Sequence, residues 1–151
     1  MNLLAQEIKD SLEDIPESIT GIETNKWVNS HIFYGNSPLP FRGQSRGRCP
    51  FVRYYRLGKD FDIQSIKPAG GTVLSQFSVQ FVVNPPSVKS QEDAWDFAYE
   101  MFESFISSLR EKHNWMDLDY SPQQLIVNPT IFVLDVNLRV TNSFPCAQPQ
   151  P

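Results

Sequence analysis

Residues 70–105 read GGTVLSQFSVQFVVNPPSVKSQEDAWDFAYEMFESF, and the hydrophobic period changes once inside this stretch. From Thr72 to Val83, Val73, Phe77, Val79, Phe81 and Val83 fall on one side, and Gln76, Ser78 and Gln80 on the other. A period of two is that of a strand with one buried face. Asn84-Pro85-Pro86 ends the strand, because prolines cannot donate to a ladder. Beyond Ser90 the period becomes helical: Ala94, Phe97, Ala98, Met101, Phe102, Phe105, Ile106 and Leu109 form a wide apolar stripe, with Glu100, Glu103, Ser107 and Ser108 outside it. Ser90 suits an N-cap, Glu92 and Asp93 the positive first turn, and Arg110, Lys112 and His113 the negative end. A one-faced strand followed by a long amphipathic helix predicts a sheet with helices laid on it.

The flanks extend this pattern. Leu3, Leu4, Ile8, Leu12 and Ile15 recur at three- and four-residue steps and predict an opening helix, which Pro16 stops. Aromatic and β-branched residues predict a short strand over Trp27–Tyr34, closed by Gly35-Asn36-Ser37-Pro38. Pro38–Pro50, with three prolines, two glycines, Arg42, Arg46 and Arg48, reads as an exposed loop. Phe51–Leu57 resumes strand character with two mixed faces, so its buried side stays open. Lys67–Gly71 is turn chemistry. A last strand over Ile126–Thr141 sets Phe132, Leu134, Val136, Leu138 and Val140 against Asp135, Asn137 and Arg139.

This order predicts one α+β domain over residues 1–144, with a proline-rich flexible tail over 145–151. The expected sheet is mixed and largely antiparallel, of about four strands, with two helices on one face. A main helix of about 23 residues, roughly 35 Å, would return the chain so that the last strand lies parallel to the third in a right-handed crossover. The sheet's second face is then left over, either solvated or covered by another subunit.

Composition narrows the function. In 151 residues, 13 Lys+Arg against 17 Asp+Glu give a net charge of −4, which argues against a general grip on nucleic acid. The opening residues lack a cationic start and an apolar run of leader length, and no segment approaches membrane-spanning length. Cys49 and Cys146 suit two free thiols in a reducing compartment such as the cytosol. His31 reads as a polar sheet residue and His113 as a helix-end residue, and neither sits in a nucleophile elbow or a metal spacing. Asp117-Leu118-Asp119 lacks the ligand count of a calcium loop, and Gly70-Gly71 leads into a strand without the Lys-Ser/Thr of a phosphate loop. No enzyme, cofactor or metal is expected. Phe41, Arg42, Arg46 and Arg48 of the basic loop, and Gln76, Gln80 and Arg139 of the leftover face, are the candidate assembly contacts.

The element order resembles that of the tail terminator family of tailed bacteriophages, with its texture strongest in GGTVLSQFSVQFVVNPPSVKSQEDAWDFAYEMFESF and in Phe51-Val-Arg-Tyr-Tyr-Arg-Leu57. The resemblance spans nearly everything to Phe144; the tail after it departs from the pattern. It implies a virion subunit of the tail or neck that closes into a ring, commonly of six, caps the tail tube protein and joins a head or neck connector protein. It assigns no role to any single residue. Another head-tail connector, a small ligand-binding module and, last, an enzyme are the alternatives.

Overall fold

The computed structural model describes residues 3–35, 50–57, 62–67, 70–84, 91–112, 117–128 and 131–144. Among them four helices and six strands follow in order: α1 (Leu3–Glu13), α2 (Glu17–Thr20), α3 (Thr24–Ser30), β1 (Ile32–Tyr34), β2 (Phe51–Arg56), β3 (Asp62–Lys67), β4 (Gly70–Val83), α4 (Gln91–Lys112), β5 (Asp117–Asn128) and β6 (Ile131–Phe144). The sheet order is β1-β2-β4-β6-β5, with β3 paired to β4 off this path. Only β1 and β2 pair in parallel. β4 and β6 form the spine, in register from Gly71 opposite Phe144 to Val83 opposite Phe132. β2 takes residues 77–82 of β4 and β3 takes residues 70–74, so both share one edge of β4.

The two alternations read from the sequence meet across this spine. Phe77, Val79, Phe81 and Val83 of β4 join Phe132, Leu134, Val136, Leu138 and Val140 of β6 in one buried cluster under the helices. The α4 stripe closes it: Ala98, Met101, Phe105 and Leu109 are fully buried. Trp95 stacks on Phe132 at 4.9 Å, and Phe81 meets Phe105 at 5.9 Å. These contacts run α4 back along β4. α1 adds Leu4, Ile8, Leu12 and Ile15 to the same core, and Asp14 ties its end to Lys112 and Ser108 of α4. The hydrogen bond from Lys112, helped by Ser108, holds the Asp14 carboxyl below the usual range against the opposing pull of desolvation.

The fold departs from the sequence reading in several places. The sheet has six strands rather than about four, and four helices rather than two lie on its inner face. Trp27–Tyr34 is not one strand: Thr24–Ser30 is helix α3, and only Ile32–Tyr34 is strand. The cause is Trp27, fully buried, whose indole N–H donates to the Leu12 carbonyl at 2.9 Å. That anchor outweighs the local preference of aromatic and β-branched residues for strands. The predicted last strand is divided between the end of β5 and β6. β6 lies antiparallel to β4; the strand that returns parallel to β4 is β5, with β6 inserted between them. Ser90, His113, Cys49, Cys146, residues 36–49 and residues 145–151 lie outside the described residues.

Candidate assembly surface

Pairing register settles which side of β2 is buried. Val52 and Tyr54 join the core under the helices, so Phe51, Arg53 and Tyr55 lie on the opposite face, where Phe51, Val82, Val133, Gln80 and Ser78 are buried while Asn137, Arg139 and Asp119 are exposed. Successive rows then cross that face from β2 to β5. The first is Phe51–Val82–Val133–Leu125, the second Arg53–Gln80–Asp135–Gln123, and the third Tyr55–Ser78–Asn137–Ser121. Gln76, Arg139 and Asp119 make the fourth.

These rows differ in character. Phe51, Val82, Ile131 and Val133 form a second apolar cluster, with Phe33 and Leu125 packed against it. The next rows hold a hydrogen-bonded network: Arg53 donates to Gln80 Oε1 through Nε at 3.1 Å and Nη2 at 2.6 Å, and Ser78 Oγ donates to Asp135 Oδ1 at 2.8 Å. Gln80 and Ser78 are buried. Burial pushes the Arg53 guanidinium below its ordinary range, while Tyr55 and Asp135 pull the other way. In the last row Arg139 donates to Asp119 at 2.5 Å between two exposed side chains. The face therefore grades from apolar through a buried polar network to an exposed ion pair, and each of its arginines has an acid close by.

His31 is not a sheet residue. It caps α3, stacks on Trp27 at 5.8 Å and is 5% exposed. Its Nδ1 meets the Pro50 carbonyl at 2.8 Å, and its own carbonyl accepts from the Val52 N–H at 2.8 Å. Because a carbonyl only accepts, Nδ1 carries the proton. The residue fastens α3 to the start of β2.

Of the contacts read from the sequence, Gln76, Gln80 and Arg139 share the open face, as alternation placed them. Gln80 is only 4% exposed and engaged by Arg53, so it supports the surface from within. Phe41, Arg42, Arg46 and Arg48 lie outside the described residues. Sequence reasoning missed the grouping of Arg53 and Asp135 with Gln80, because the two mixed faces of Phe51–Leu57 hid the side on which Arg53 falls. Among the described residues, no group of three His, Cys, Asp or Glu could hold a metal ion, and no helix is long and apolar enough to cross a membrane.

No protein-family model matches the chain, and no curated protein matches it in sequence. In fold it is similar to a chain from a structure described as the virion of a native gene transfer agent (GTA) particle. That likeness covers 95% of this chain and 100% of the other at 9% sequence identity, with a TM-score of 0.51. At that identity the similarity is one of fold.

Proposed function

We propose that this chain is a structural protein of a phage-like virion and, more specifically, a tail terminator. Copies close into a ring, six in number, that caps the tail tube protein and meets a head or neck connector protein. The observation that carries the reading is the full-length fold likeness to a chain of a gene transfer agent virion. The element order and texture of residues 51–105 favour the terminator among virion proteins. A ring needs one surface of each subunit to meet a different surface of its neighbour. Gln76 and Arg139, on the sheet face away from the helices, and Arg42, Arg46 and Arg48 in the Pro38–Pro50 stretch of the sequence are the candidate contacts for such closure. No catalysis, cofactor, membrane or specific nucleic acid enters this reading, and the protein's place is the finished particle.

Negative-stain imaging with native mass spectrometry of the purified protein tests it. Rings of a single size that bind the end of isolated tail tubes are expected. Monomers at every concentration would refute ring assembly. Rings that bind a head connector and ignore tail tubes would replace the terminator with another neck protein.

A further inference from the structure

The sheet ends in two unlike edges, β1 on one side and β5 on the other, and among the described residues no strand pairs beyond either. Hydrogen bonds fix which backbone groups each edge presents. The Leu57 N–H donates to the Gln76 carbonyl, so even-numbered residues of β4 face β2 and odd-numbered ones face β6. Carried through the β4–β6 and β5–β6 registers, that alternation turns the even-numbered residues of β5 outward, and Pro122 therefore costs the ladder no bond. On β1, the Val52 N–H donates to the His31 carbonyl and the Gly35 N–H to the Tyr54 carbonyl, which leaves Ile32 and Tyr34 facing outward. The exposed large hydrophobic residues among those described, Tyr34 at 55%, Ile126 at 58% and Val127 at 38%, all belong to these two edge strands.

The two edges match in direction and in face. β1 runs with β2 and β5 runs opposite to it, so a neighbour placed head-to-tail with its sheet in the same orientation sets its β1 antiparallel to β5. Ile32 packs on the helix-side core, as do Leu118 and Tyr120, whose alternation Gln124 and Ile126 share. We infer that β5 of one copy pairs with β1 of the next, Ile126 opposite Ile32 and Gln124 opposite Tyr34, so that the sheet continues from subunit to subunit. In this register each outward N–H of these residues meets a carbonyl, and Pro122, which has no N–H to give, falls past the end of β1. Ile126 and Tyr34 are both covered. Pairing of β5 with another β5 would instead leave Tyr34 exposed and close a dimer. The inference rests on the ring reading above and names its contact: two unlike edges make a head-to-tail joint that repeats from copy to copy.

Cysteine cross-linking tests it, in a background where Cys49→Ser and Cys146→Ser remove the native thiols. Tyr34→Cys and Gln124→Cys together in one chain should, on mild oxidation, give covalent oligomers up to the ring number, while either change alone leaves monomers on a denaturing gel. Dimers from Gln124→Cys alone would show β5 pairing with β5 and overturn the inference. Gln124→Pro removes an outward N–H and no bond of the β5–β6 ladder, so it should fold like the wild type by circular dichroism and need about tenfold more protein to assemble. Gln124→Ala keeps the N–H and should assemble at the wild-type concentration. Should Gln124→Pro misfold, the cysteine pair decides. Rings in negative-stain images without cross-links in the paired variant, or wild-type-like assembly of well-folded Gln124→Pro, overturn the inference while leaving ring assembly standing. A wild type that is monomeric throughout removes the ring reading and the inference together.

Discussion

Replacing Gln80 by Leu tests the network at the centre of the open face. Gln80 is 4% exposed, and its Oε1 accepts two N–H groups from Arg53 at 3.1 and 2.6 Å. Hydrogen bonds to charged groups contribute about 1.5–3 kcal/mol each, and two that share one oxygen contribute less than their sum, so a loss of about 2–4 kcal/mol is expected. Arg53→Met should cost about 1–3 kcal/mol, because it strands the Gln80 carboxamide in a buried position. The double variant replaces both partners with apolar groups of similar length, which leaves no unmet donor or acceptor between them. It should therefore fall short of the sum of the single losses by about 1–2 kcal/mol. Asp135 retains its bond from Ser78 in all three proteins. Urea unfolding followed by circular dichroism, with slopes unchanged among variants, measures the coupling. Additive losses, agreeing within about 0.5 kcal/mol, would refute the claim that Arg53 and Gln80 act as a unit.

Phe105→Ala, at a fully buried site beside Phe81, should cost about 3–5 kcal/mol in denaturant melts; a loss under about 1 kcal/mol would remove α4 from its place over the sheet. Burial raises the Tyr54 phenol to about 12. Its folded pKa lies above the unfolded value near 10, so above pH 10 the unfolded chain sheds a proton that the folded one keeps. The melting temperature should therefore fall as pH rises from about 10 towards 12, and Tyr54→Phe should flatten that slope. An identical alkaline slope in both proteins would contradict the assignment.

What the sequence disclosed follows how much of each element is buried on a single face. β4, β6 and α4 each bury one complete face, and each was legible as a period of two or 3.6 from Phe77 to Val83, Phe132 to Val140 and Ala94 to Leu109. β5 escaped because it is an edge strand: Ser121, Pro122, Gln123 and Gln124 are exposed, and a proline in mid-run argues against a strand except at an edge. Helix α3 is seven residues long, too short to display a period, and its packing hangs on Trp27. Val82, Ile131 and Val133 were legible as apolar residues, yet their cluster on the otherwise polar open face depends on a register that joins β2, β4 and β6. The candidate surface was read in part for the same reason. Alternation placed Gln76, Gln80 and Arg139 on one face, but the pairing of Gln80 with Arg53 is 27 positions apart in sequence and exists only once β2 and β4 pair.

The insertion of β6 between β4 and β5 bears on how the domain forms. Among the described strands β6 is synthesised last, yet it is the only one that joins β5 to the rest of the sheet. While a ribosome is still translating residues 131–144, β4 shows an open edge and β5 has no strand to pair with. The nascent protein can thus collect its helices against β1, β2 and β4, but the spine closes only after β6 emerges. Closing it joins residues from 49 to 73 positions apart, a long-range pairing of the kind that slows folding and leaves a sticky edge in the meantime. Production of this protein at high concentration should therefore be governed by the lifetime of that unclosed intermediate, which slower synthesis or chaperones that shield β4 would protect.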